Sequence, residues 1–308
     1  MKLLSYSAEY DADAVYALWL AALGEQWPID GAVFHKLLTD WPLYVAGDHF
    51  VARKNDRIIG FAATRMDRGD PASGAILALY VDPQFHRRGI GTALHEAALG
   101  HLREIGARTV QVGGGLFWPG VPDNLPAAKP FFQARGWNFA ELCYDLSQPV
   151  GGYKSPEDLT GDILLELAAP DDAPALLEFE RREFPNWLGA FRGVLDAGDF
   201  DDLLLARDRQ TREIIGALIL YSHRSHPSRV DGLWTSLLGD PLGEIGCVGV
   251  AEAAQGRGIG TAMVARASET LKQRGVAAIH IGWVYRVDFY GRLGYAKWRA
   301  FHMSWRDL

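Results

Sequence analysis

The sequence has 308 residues, of which 48% are hydrophobic and 22% are charged, and its formal net charge at pH 7 is −7. This length favours two domains, and the composition is ordinary for a globular protein. The negative charge argues against a nucleic-acid-binding protein, which usually presents a basic face. The two cysteines, Cys143 and Cys247, do not suggest a disulfide framework, so we expect a reducing, cytoplasmic location.

Neither a secretion signal nor a membrane span is expected. The N-terminal segment carries Glu9, Asp11 and Asp13 around the start of its first apolar run, unlike a signal peptide. The apolar stretch at residues 14–23 is about half as long as a membrane-spanning helix.

The first half of the chain predicts alternating strands and helices. A strand at residues 3–6 precedes a helix that Asp11 or Asp13 caps, with Val15, Leu18 and Trp19 on one apolar face. A second helix covers residues 31–39, and residues 50–53 and 58–64 form a hairpin. A buried strand at 75–81, a helix ending near 106 and a strand at 109–113 follow.

The second half predicts a similar order of elements. It begins with a strand at residues 163–167 and a helix that Asp171 or Asp172 caps, with Pro174 near its first turn. Residues 203–206 and 214–221 form the next hairpin. An apolar run at 245–250 then precedes a glycine-rich segment and a helical pattern at 262–271.

That glycine-rich segment consists of residues 255–261 and reads Gln-Gly-Arg-Gly-Ile-Gly-Thr. A helix N-terminus offers unpaired N–H groups to a phosphate, and glycines allow close backbone approach. A nucleotide P-loop needs a lysine after its last glycine, but Gly260 is followed by Thr261. A dinucleotide-binding motif also fails, because its third glycine is missing.

The same pattern occurs twice. His86, Arg87, Arg88, Gly89, Ile90, Gly91 and Thr92 also stand between an apolar run and a helical pattern. The register is kept beyond the loops, because residues 110–113 align with 279–282 at the same offset. An aromatic pair then precedes a Gly-aromatic step in both copies. Such self-similarity indicates two copies of one domain.

Both loops are similar to the acyl-coenzyme A pyrophosphate loop, Gln/Arg-x-x-Gly-x-Gly/Ala, of the GNAT superfamily of N-acetyltransferases. The resemblance covers nearly the whole chain and implies two tandem GNAT domains of the α/β (α+β) class. Each would have a mixed, mostly antiparallel sheet flanked by helices. The expected bounds are 1–146 for a degenerate N-terminal domain, 147–162 for a linker and 163–308 for a catalytic C-terminal domain. A catalytic second copy resembles the architecture of the mycothiol synthases.

The resemblance also implies acetyl-CoA as co-substrate, with its pantetheine arm lying between the splayed fourth and fifth strands of a domain. No metal is expected. The residues expected to bind the coenzyme in the second copy are Val248, Val250, Gln255, Gly256, Arg257, Gly258, Ile259, Gly260 and Thr261. Their counterparts in the first copy are Leu79, Val81, Arg87, Arg88, Gly89, Ile90, Gly91 and Thr92. His86 departs from the family pattern, which weakens the expectation for the first copy.

Tyr290 stands where many GNAT members carry the tyrosine that protonates the leaving thiolate. Glu244 stands at the start of the fourth strand, where members often place a water-linked base. The first copy has Phe132 and Ala75 at these positions, and neither can transfer a proton. The resemblance therefore implies catalysis in the second copy by direct attack of an amine on the thioester.

Two insertions distinguish the copies. The first copy has a longer, proline-rich segment at residues 116–126, which we expect either to cover a ligand or to pack between the domains. The second copy has additional residues within 222–243, including His223 and His226, which are rival bases because histidine titrates near neutral pH. A zinc site on these two histidines lacks a third ligand.

The sequence thus predicts an acetyl-CoA-dependent N-acetyltransferase that acts on a primary amine of a small molecule in a ternary complex. An acyl-CoA-binding sensor or scaffold without turnover is the first alternative, favoured by the degenerate first copy. A protein-lysine acetyltransferase is the second alternative, although no peptide groove can be inferred from the sequence.

Overall fold

The computed structural model describes residues 1–39, 45, 47–67, 70–115, 117–155, 162–229 and 231–308. Part of the predicted linker, residues 156–161, lies outside the described residues, as do Leu116 and residue 230 of the two insertions. The chain divides into two compact units. One consists of Met1–Cys143 with Arg299–Leu308, and the other of Tyr144–Trp298.

The first unit is built on a six-stranded sheet with strand order β1-β2-β3-β4-β5-β14. Its strands are β1 (Lys2–Ser5), β2 (His49–Lys54), β3 (Arg57–Met66), β4 (Ser73–Val81), β5 (Thr109–Val112) and β14 (Trp305–Asp307). Its helices are α1 (Ala8–Leu23), α2 (Gly31–Thr39), α3 (Ile90–Glu104) and α4 (Ala128–Gln133). Among these strands, β4 and β5 pair in parallel and the other neighbours are antiparallel. The short strand β6 (Val121–Pro122) pairs with the final residues of β13 (Ala296–Met303).

The second unit repeats this arrangement with strand order β7-β12-β11-β10-β9-β8. Its strands are β7 (Glu141–Pro149, from Tyr144 onwards), β8 (Ile163–Leu167), β9 (Leu203–Asp208), β10 (Ile214–Tyr221), β11 (Leu242–Val250) and β12 (Ala278–Val284). Its helices are α5 (Ala173–Glu183), α6 (Leu188–Asp196), α7 (Thr235–Leu238), α8 (Ile259–Gln273) and α9 (Val287–Gly291). Strands β11 and β12 are parallel, and the other neighbours are antiparallel.

The predicted fold class is confirmed, because each unit has a mixed, mostly antiparallel sheet covered by helices. The two long helices that follow the glycine loops bury one face each. Helix α3 buries Ile90, Leu94 and Ala98, which follow one another at four-residue spacing. Helix α8 buries Ile259, Met263 and Ala267 at the same spacing.

The compact units differ from the predicted domain bounds at two places. Residues 144–149 belong to the second unit, because β7 pairs antiparallel with β12 from Ala278↔Pro149 to Val284↔Tyr144. Residues 299–308 belong to the first unit, where β14 pairs with β5. The first three residues of the predicted linker are therefore part of a strand.

The capping prediction for the first helix is wrong. Helix α1 begins at Ala8 with Ser7 as its N-cap residue, so Asp11 and Asp13 lie inside the helix. Asp11 instead accepts a hydrogen bond from the Ser7 backbone N–H at 3.0 Å and forms an ion pair with Arg53. Asp11 is buried, and these two partners satisfy its carboxylate there.

The described part of the proline-rich segment, residues 117–126, packs within the first unit. The Phe117 and Trp118 rings lie 4.4 and 5.4 Å from the Trp19 ring, centroid to centroid, and both side chains are buried. Phe34 stacks on Phe117 at 5.7 Å. These two residues are therefore part of the aromatic core of the first unit and not of an open lid.

Candidate active site

The glycine loop of the second unit forms the expected strand-to-helix turn. Gly256 and Gly258 have φ angles of 79° and 77°, a left-handed conformation that favours glycine, and α8 begins directly afterwards at Ile259. The Gln255 side chain donates a hydrogen bond to the Val250 carbonyl at 3.1 Å, which ties the loop to the end of β11. Residues 255–258 are exposed, so the N-terminus of α8 is open to a ligand.

The loop of the first unit has the same geometry despite its different sequence. Gly89 has a φ angle of 79° and α3 begins at Ile90. The His86 Nε2 atom lies 2.9 Å from the Val81 carbonyl, so histidine makes the contact that Gln255 makes in the other loop. Arg87 adopts φ of 59° where the second loop has a glycine, and the Thr92 hydroxyl accepts a hydrogen bond from Arg135.

Strands β11 and β12 pair only at their start, within the described part of the chain. Their parallel register runs from Leu242↔Ala278 to Glu244↔His280, whereas β12 stays paired with β7 on its other edge from Ala278 to Val284. On its other edge β11 carries a bulge, because the register against β10 shifts between Ala217↔Gly249 and Ile219↔Gly246. Cys247 lies in this bulge with φ of 50°. The parting strands and the bulge leave a gap at which Val248 and Val250 lie.

Glu244 lies at the point where the two strands part. Its carboxylate is 3.1 Å from Nδ1 of His280, and Nε2 of His280 is 3.2 Å from the Asp145 carboxylate. Burial lowers the pKa of His280, but hydrogen bonds and charge attraction from Asp145 and Glu244 raise it more, to about 10. The imidazole is therefore protonated at neutral pH and lies between two acidic side chains.

Asp231, on the long connection between β10 and β11, adds a further carboxyl group. Burial and the nearby Glu244 raise its pKa, while Arg229 lowers it. Arg229 lies 3.5 Å from Asp231, donates to the Leu220 carbonyl at 2.8 Å and forms an ion pair with the buried Asp202. These contacts fix the Arg229 guanidinium, which faces Asp231.

Tyr290 is half-buried on the short helix α9, near Cys247. Burial and the Cys247 thiol raise the pKa of Tyr290 to about 12, and Arg286 opposes this shift. Burial, Glu180 and Asp231 raise the pKa of the Cys247 thiol to about 12 as well. Cys247 and Tyr290 both pack against the hydrophobic core of the second unit.

Exposed aromatic side chains follow His280 at the end of β12. Trp283 has a left-handed φ of 60°, which is held by a 2.9 Å hydrogen bond from its backbone N–H to Asp145. The side chains of Trp283 and Tyr285 are 41% and 51% exposed and lie together, with Nε1 of Trp283 3.4 Å from the Tyr285 hydroxyl. The Trp298 ring packs edge-on against His280 at 5.7 Å. We call Trp283 and Tyr285 the aromatic ledge.

The rival bases lie on an exposed turn. His223 and His226 are both exposed, and the His226 ring is 2.8 Å from the Ser228 hydroxyl while its backbone N–H donates to Asp199. No group of three or more metal-ligating side chains occurs among the residues that the structure describes.

The counterparts of the candidate catalytic residues in the first unit belong to its core. Phe132 is 6% exposed and packs against Trp137 and His95. Nε1 of Trp137 donates to Nε2 of His95 at 2.9 Å, and burial lowers the pKa of His95 to about 4. Ala75 is also buried. Phe132 therefore supplies no proton donor at the position that corresponds to Tyr290.

Sequence reasoning misses three polar residues of the second unit. The expected domain bounds place Asp145 in the first domain, and the repeat marks His280 only as part of an aligned strand. Glu180 lies in a run of charged residues that is typical of a solvated helix face. Its spacing from Leu176 and Phe184 places it on the buried face of α5, and that pattern is the signal that could reveal it.

Two units with this fold, each carrying a glycine loop at the start of its long helix, define a tandem acyltransferase. Residues 12–137 and 164–295 match the model of the acetyltransferase (GNAT) family. The chain therefore belongs to the GNAT family and is an N-acetyltransferase, whose co-substrate in this family is acetyl-CoA. The described residues contain no helix that is both long enough and apolar enough to cross a membrane.

Individual relatives and solved structures add to the family match. A mycothiol acetyltransferase of Nocardia farcinica is 28% identical over 261 residues, which are 82% of this chain and 80% of the relative. A solved fungal structure is described as a GCN5-related glucosamine N-acetyltransferase region of a multi-domain beta-N-acetylglucosaminidase. It is 35% identical with a TM-score of 0.93, and the match covers 99% of this chain but only 38% of the fungal one. A tandem GNAT protein from the clavulanic acid biosynthesis pathway, at 15% identity and a TM-score of 0.71, shares the fold, with 99% of this chain and 98% of that one covered.

Proposed function

We propose that the second unit transfers the acetyl group of acetyl-CoA to the primary amine of an amino sugar of the glucosamine type. The observation that carries this proposal is the combination of two acidic side chains, Glu244 and Asp231, with the aromatic ledge that follows His280 at the end of β12. Acidic side chains attract an ammonium group, and aromatic faces pack against the apolar face of a sugar ring. The likeness to the fungal glucosamine N-acetyltransferase region, over 99% of this chain, supports the same acceptor.

The coenzyme would be held by the glycine loop and the end of β11. The exposed N-terminus of α8, with residues 255–261, suits the pyrophosphate because its backbone N–H groups are unpaired. The left-handed φ angles of Gly256 and Gly258 allow the tight turn of this loop. Val248 and Val250 would hydrogen-bond the pantetheine arm through the edge of β11 that β12 leaves free.

Glu244 would take the proton from the bound ammonium, with Asp231 beside it. The amine nitrogen then forms a bond to the thioester carbon, and the carbon–sulfur bond breaks as the intermediate collapses. Tyr290 would give its proton to the leaving thiolate and regain one from the newly acylated nitrogen, which must lose a second proton to become the amide. Glu244 would pass the first proton on to solvent. Its raised pKa keeps Tyr290 protonated at neutral pH, as a proton donor requires.

His280 and Asp145 would position Glu244. The protonated imidazole bridges the two carboxylates, so it fixes the orientation of the Glu244 side chain at the point where the strands part. Its positive charge lies between the acidic side chains of Glu244 and Asp145. The acidic side chains of the site favour a cationic acceptor.

The first unit would serve as a non-catalytic half. The His86 side chain connects this loop to the carbonyl of Val81 on the preceding strand. We therefore propose that Leu79, Val81 and residues 87–92 bind coenzyme A without turnover. Phe132, in its apolar cluster, cannot perform the proton transfer assigned to Tyr290. We propose that residues 1–143 with 299–308 form this half and residues 144–298 the catalytic half.

A thiol-release assay over a panel of amines tests the proposed acceptor. The panel contains glucosamine, galactosamine, spermidine and a lysine peptide, each with acetyl-CoA and the full chain. We expect the highest kcat/KM for an amino sugar. A lysine peptide as the best substrate would support a protein acetyltransferase instead, and consistent absence of turnover with every amine would contradict the acceptor class proposed here.

A further inference from the structure

The second unit contains a pocket that lies away from its glycine loop. The cavity has a volume of about 360 Å³ and is lined by the end of β7, the segment that follows it and the residues after α9. Lys272, in the last turn of α8, donates a hydrogen bond at 2.7 Å to the carbonyl of Tyr153 in the pocket wall. Helix α8 has 15 residues, so its two ends are about 20 Å apart. The pocket is therefore separate from the loop to which we assign the coenzyme pyrophosphate.

Two cationic side chains line this pocket, and none of the described residues that line it is acidic. Lys154 lies in the segment after β7, Arg292 follows α9, and both residues are exposed. Neither forms an ion pair with another residue that the structure describes. Two unpaired cations that come from separate segments and line one cavity favour an anionic ligand.

The Gln148 side chain adds a buried amide to the same pocket. Gln148 is only 9% exposed, and its amide oxygen has no hydrogen-bond partner among the described residues. Its amide nitrogen lies beside Gly294, because a Cβ atom at residue 294 would come within 2.5 Å of it. Gly294 also lines the pocket and has a left-handed φ of 92°. The absence of a side chain at residue 294 therefore leaves space next to the amide donor.

We propose that this pocket binds a phosphate group, and that its size favours a small phosphate monoester over inorganic phosphate. Guanidinium and ammonium groups form charge-assisted hydrogen bonds to phosphate oxygens, and the Gln148 amide N–H donates to a further oxygen. A carboxylate offers only two oxygens to these three donors. The cavity volume lies in the lower part of the range for small-molecule sites, which leaves room for more than the free ion. The inference does not depend on the proposed acceptor.

A ligand in this pocket would connect two segments of the second unit. A phosphate group bonded to both Arg292 and Lys154 would join the turn after α9 to the segment after β7. That turn is bonded to the end of α9, because the backbone N–H groups of Leu293 and Tyr295 donate to the Tyr290 carbonyl at 2.9 and 3.3 Å. Binding should therefore raise the Tm of the protein as the ligand concentration rises.

Calorimetric titration of the full chain with glucose 6-phosphate tests the inference. Saturating coenzyme A is present throughout, so that phosphate sites at the glycine loops are occupied. We expect a dissociation constant of about 1 mM or lower in the wild type. Arg292→Gln and Lys154→Gln should each weaken binding about tenfold, and Gln148→Leu about fivefold, because each removes one donor to the phosphate group.

Arg192→Gln is the matched control. Arg192 is an exposed cation on α6 that does not line the pocket, so this variant loses the same charge and should bind glucose 6-phosphate as the wild type does. Circular dichroism of each variant checks the fold. Lys154 and Arg292 are exposed, so their substitution tests the site even where Gln148→Leu does not fold.

Two further probes identify the group that is recognised. Inorganic phosphate should bind more weakly than glucose 6-phosphate, whereas equal affinities would support the same contacts with the free ion as the ligand. Glucuronate, which carries a carboxylate in place of the phosphate group, should bind at least about tenfold more weakly, and equal binding would overturn the phosphate assignment. The inference would also be overturned if neither phosphate probe bound, or if Arg292→Gln and Lys154→Gln left binding unchanged. No amine takes part in these titrations, so either result leaves the proposed acceptor untouched.

Discussion

At the residue scale, Tyr290 and Phe132 distinguish the two halves of the chain. Tyr290 lies half-buried near the bulge of β11, and its raised pKa leaves the phenol protonated at neutral pH. Phe132 lies in an apolar cluster with Trp137 and His95. The difference of one hydroxyl group at corresponding positions underlies the proposal that only the second unit catalyses acetyl transfer.

Replacing Tyr290 by phenylalanine should lower kcat by about 100-fold and leave the acetyl-CoA dissociation constant within about twofold, because only the proton donor is lost. Stopped-flow thiol release and calorimetric titration measure the two quantities. Tyr10→Phe, at an exposed site of the first unit, is the control and should change neither. An unchanged kcat in Tyr290→Phe would remove this residue from the mechanism.

Glu180 should make the protein less stable as the pH rises. Burial raises its pKa from 4.5 to about 8, so the folded state binds the proton more tightly than the unfolded chain. Its contribution to the free energy of unfolding therefore falls by roughly 1 kcal/mol per pH unit between the unfolded and folded pKa values and is constant above that range.

Glu180→Gln should remove this dependence, and Glu180→Leu should be more stable than the wild type at alkaline pH, because no carboxyl group is then buried. Urea unfolding at a series of pH values that spans the two pKa values gives the comparison, with Glu178→Gln as the exposed control. A Glu180→Leu variant that is less stable than the wild type at the alkaline end would mean that the carboxyl group has a stabilising partner.

At the scale of elements, the residue that ends α5 packs closely against β11. Phe184 lies against Gly249, and its ring stacks on Trp187 at 4.9 Å. Strand β11 can approach the helix this closely only because residue 249 has no side chain. By contrast, a Cβ at Gly246 would meet no atom of the described chain within 4 Å.

The pair Gly249→Ala and Gly246→Ala tests this packing. Gly249→Ala should lower the free energy of unfolding by about 1–3 kcal/mol, because the added methyl group overlaps the Phe184 ring. Gly246→Ala should stay within about 0.5 kcal/mol of the wild type. Chemical denaturation of both variants is the measurement, and equal effects would show that Phe184 is free to move away from the strand.

At this scale, most of the fold can be predicted from the internal repeat. The constant offset from Gly89 to Gly258 and from Gly113 to Gly282 locates both loops and both following strands from the sequence alone. A repeat aligns each strand with its counterpart in the other copy, but it does not show which strands are neighbours in a sheet. The pairing of β7 with β12 therefore could not be predicted from the offset. The predicted bounds therefore separate Asp145 from His280, although the two side chains are in contact.

The polar residues of the site are harder to predict than its glycines. A glycine at a strand-to-helix turn is readily interpreted, because the left-handed φ angles of such a turn favour glycine. A glutamate in a helix is usually solvated, and only the four-residue spacing to Leu176 and Phe184 places Glu180 on the buried face. The family resemblance marks Glu244, but its bond to His280 depends on the register of β11 against β12.

At the scale of the whole molecule, we propose that only one of two similar units is catalytic. Both loops have the same conformation, with φ of 79° at Gly89 and 77° at Gly258. A valine at either position would be strained, because a β-branched residue does not adopt this φ angle readily. The two substitutions are therefore a matched pair that disturbs one helix N-terminus at a time.

Formation of N-acetylglucosamine from acetyl-CoA and glucosamine by Gly258→Val and Gly89→Val, followed by mass spectrometry, tests whether the second unit alone catalyses acetyl transfer. Circular dichroism of both variants serves as the control for folding. We expect Gly258→Val to lose at least about 100-fold of the wild-type rate and Gly89→Val to stay within about fivefold, since the first loop is proposed to carry no turnover. Loss of product in Gly89→Val with full activity in Gly258→Val would contradict this proposal.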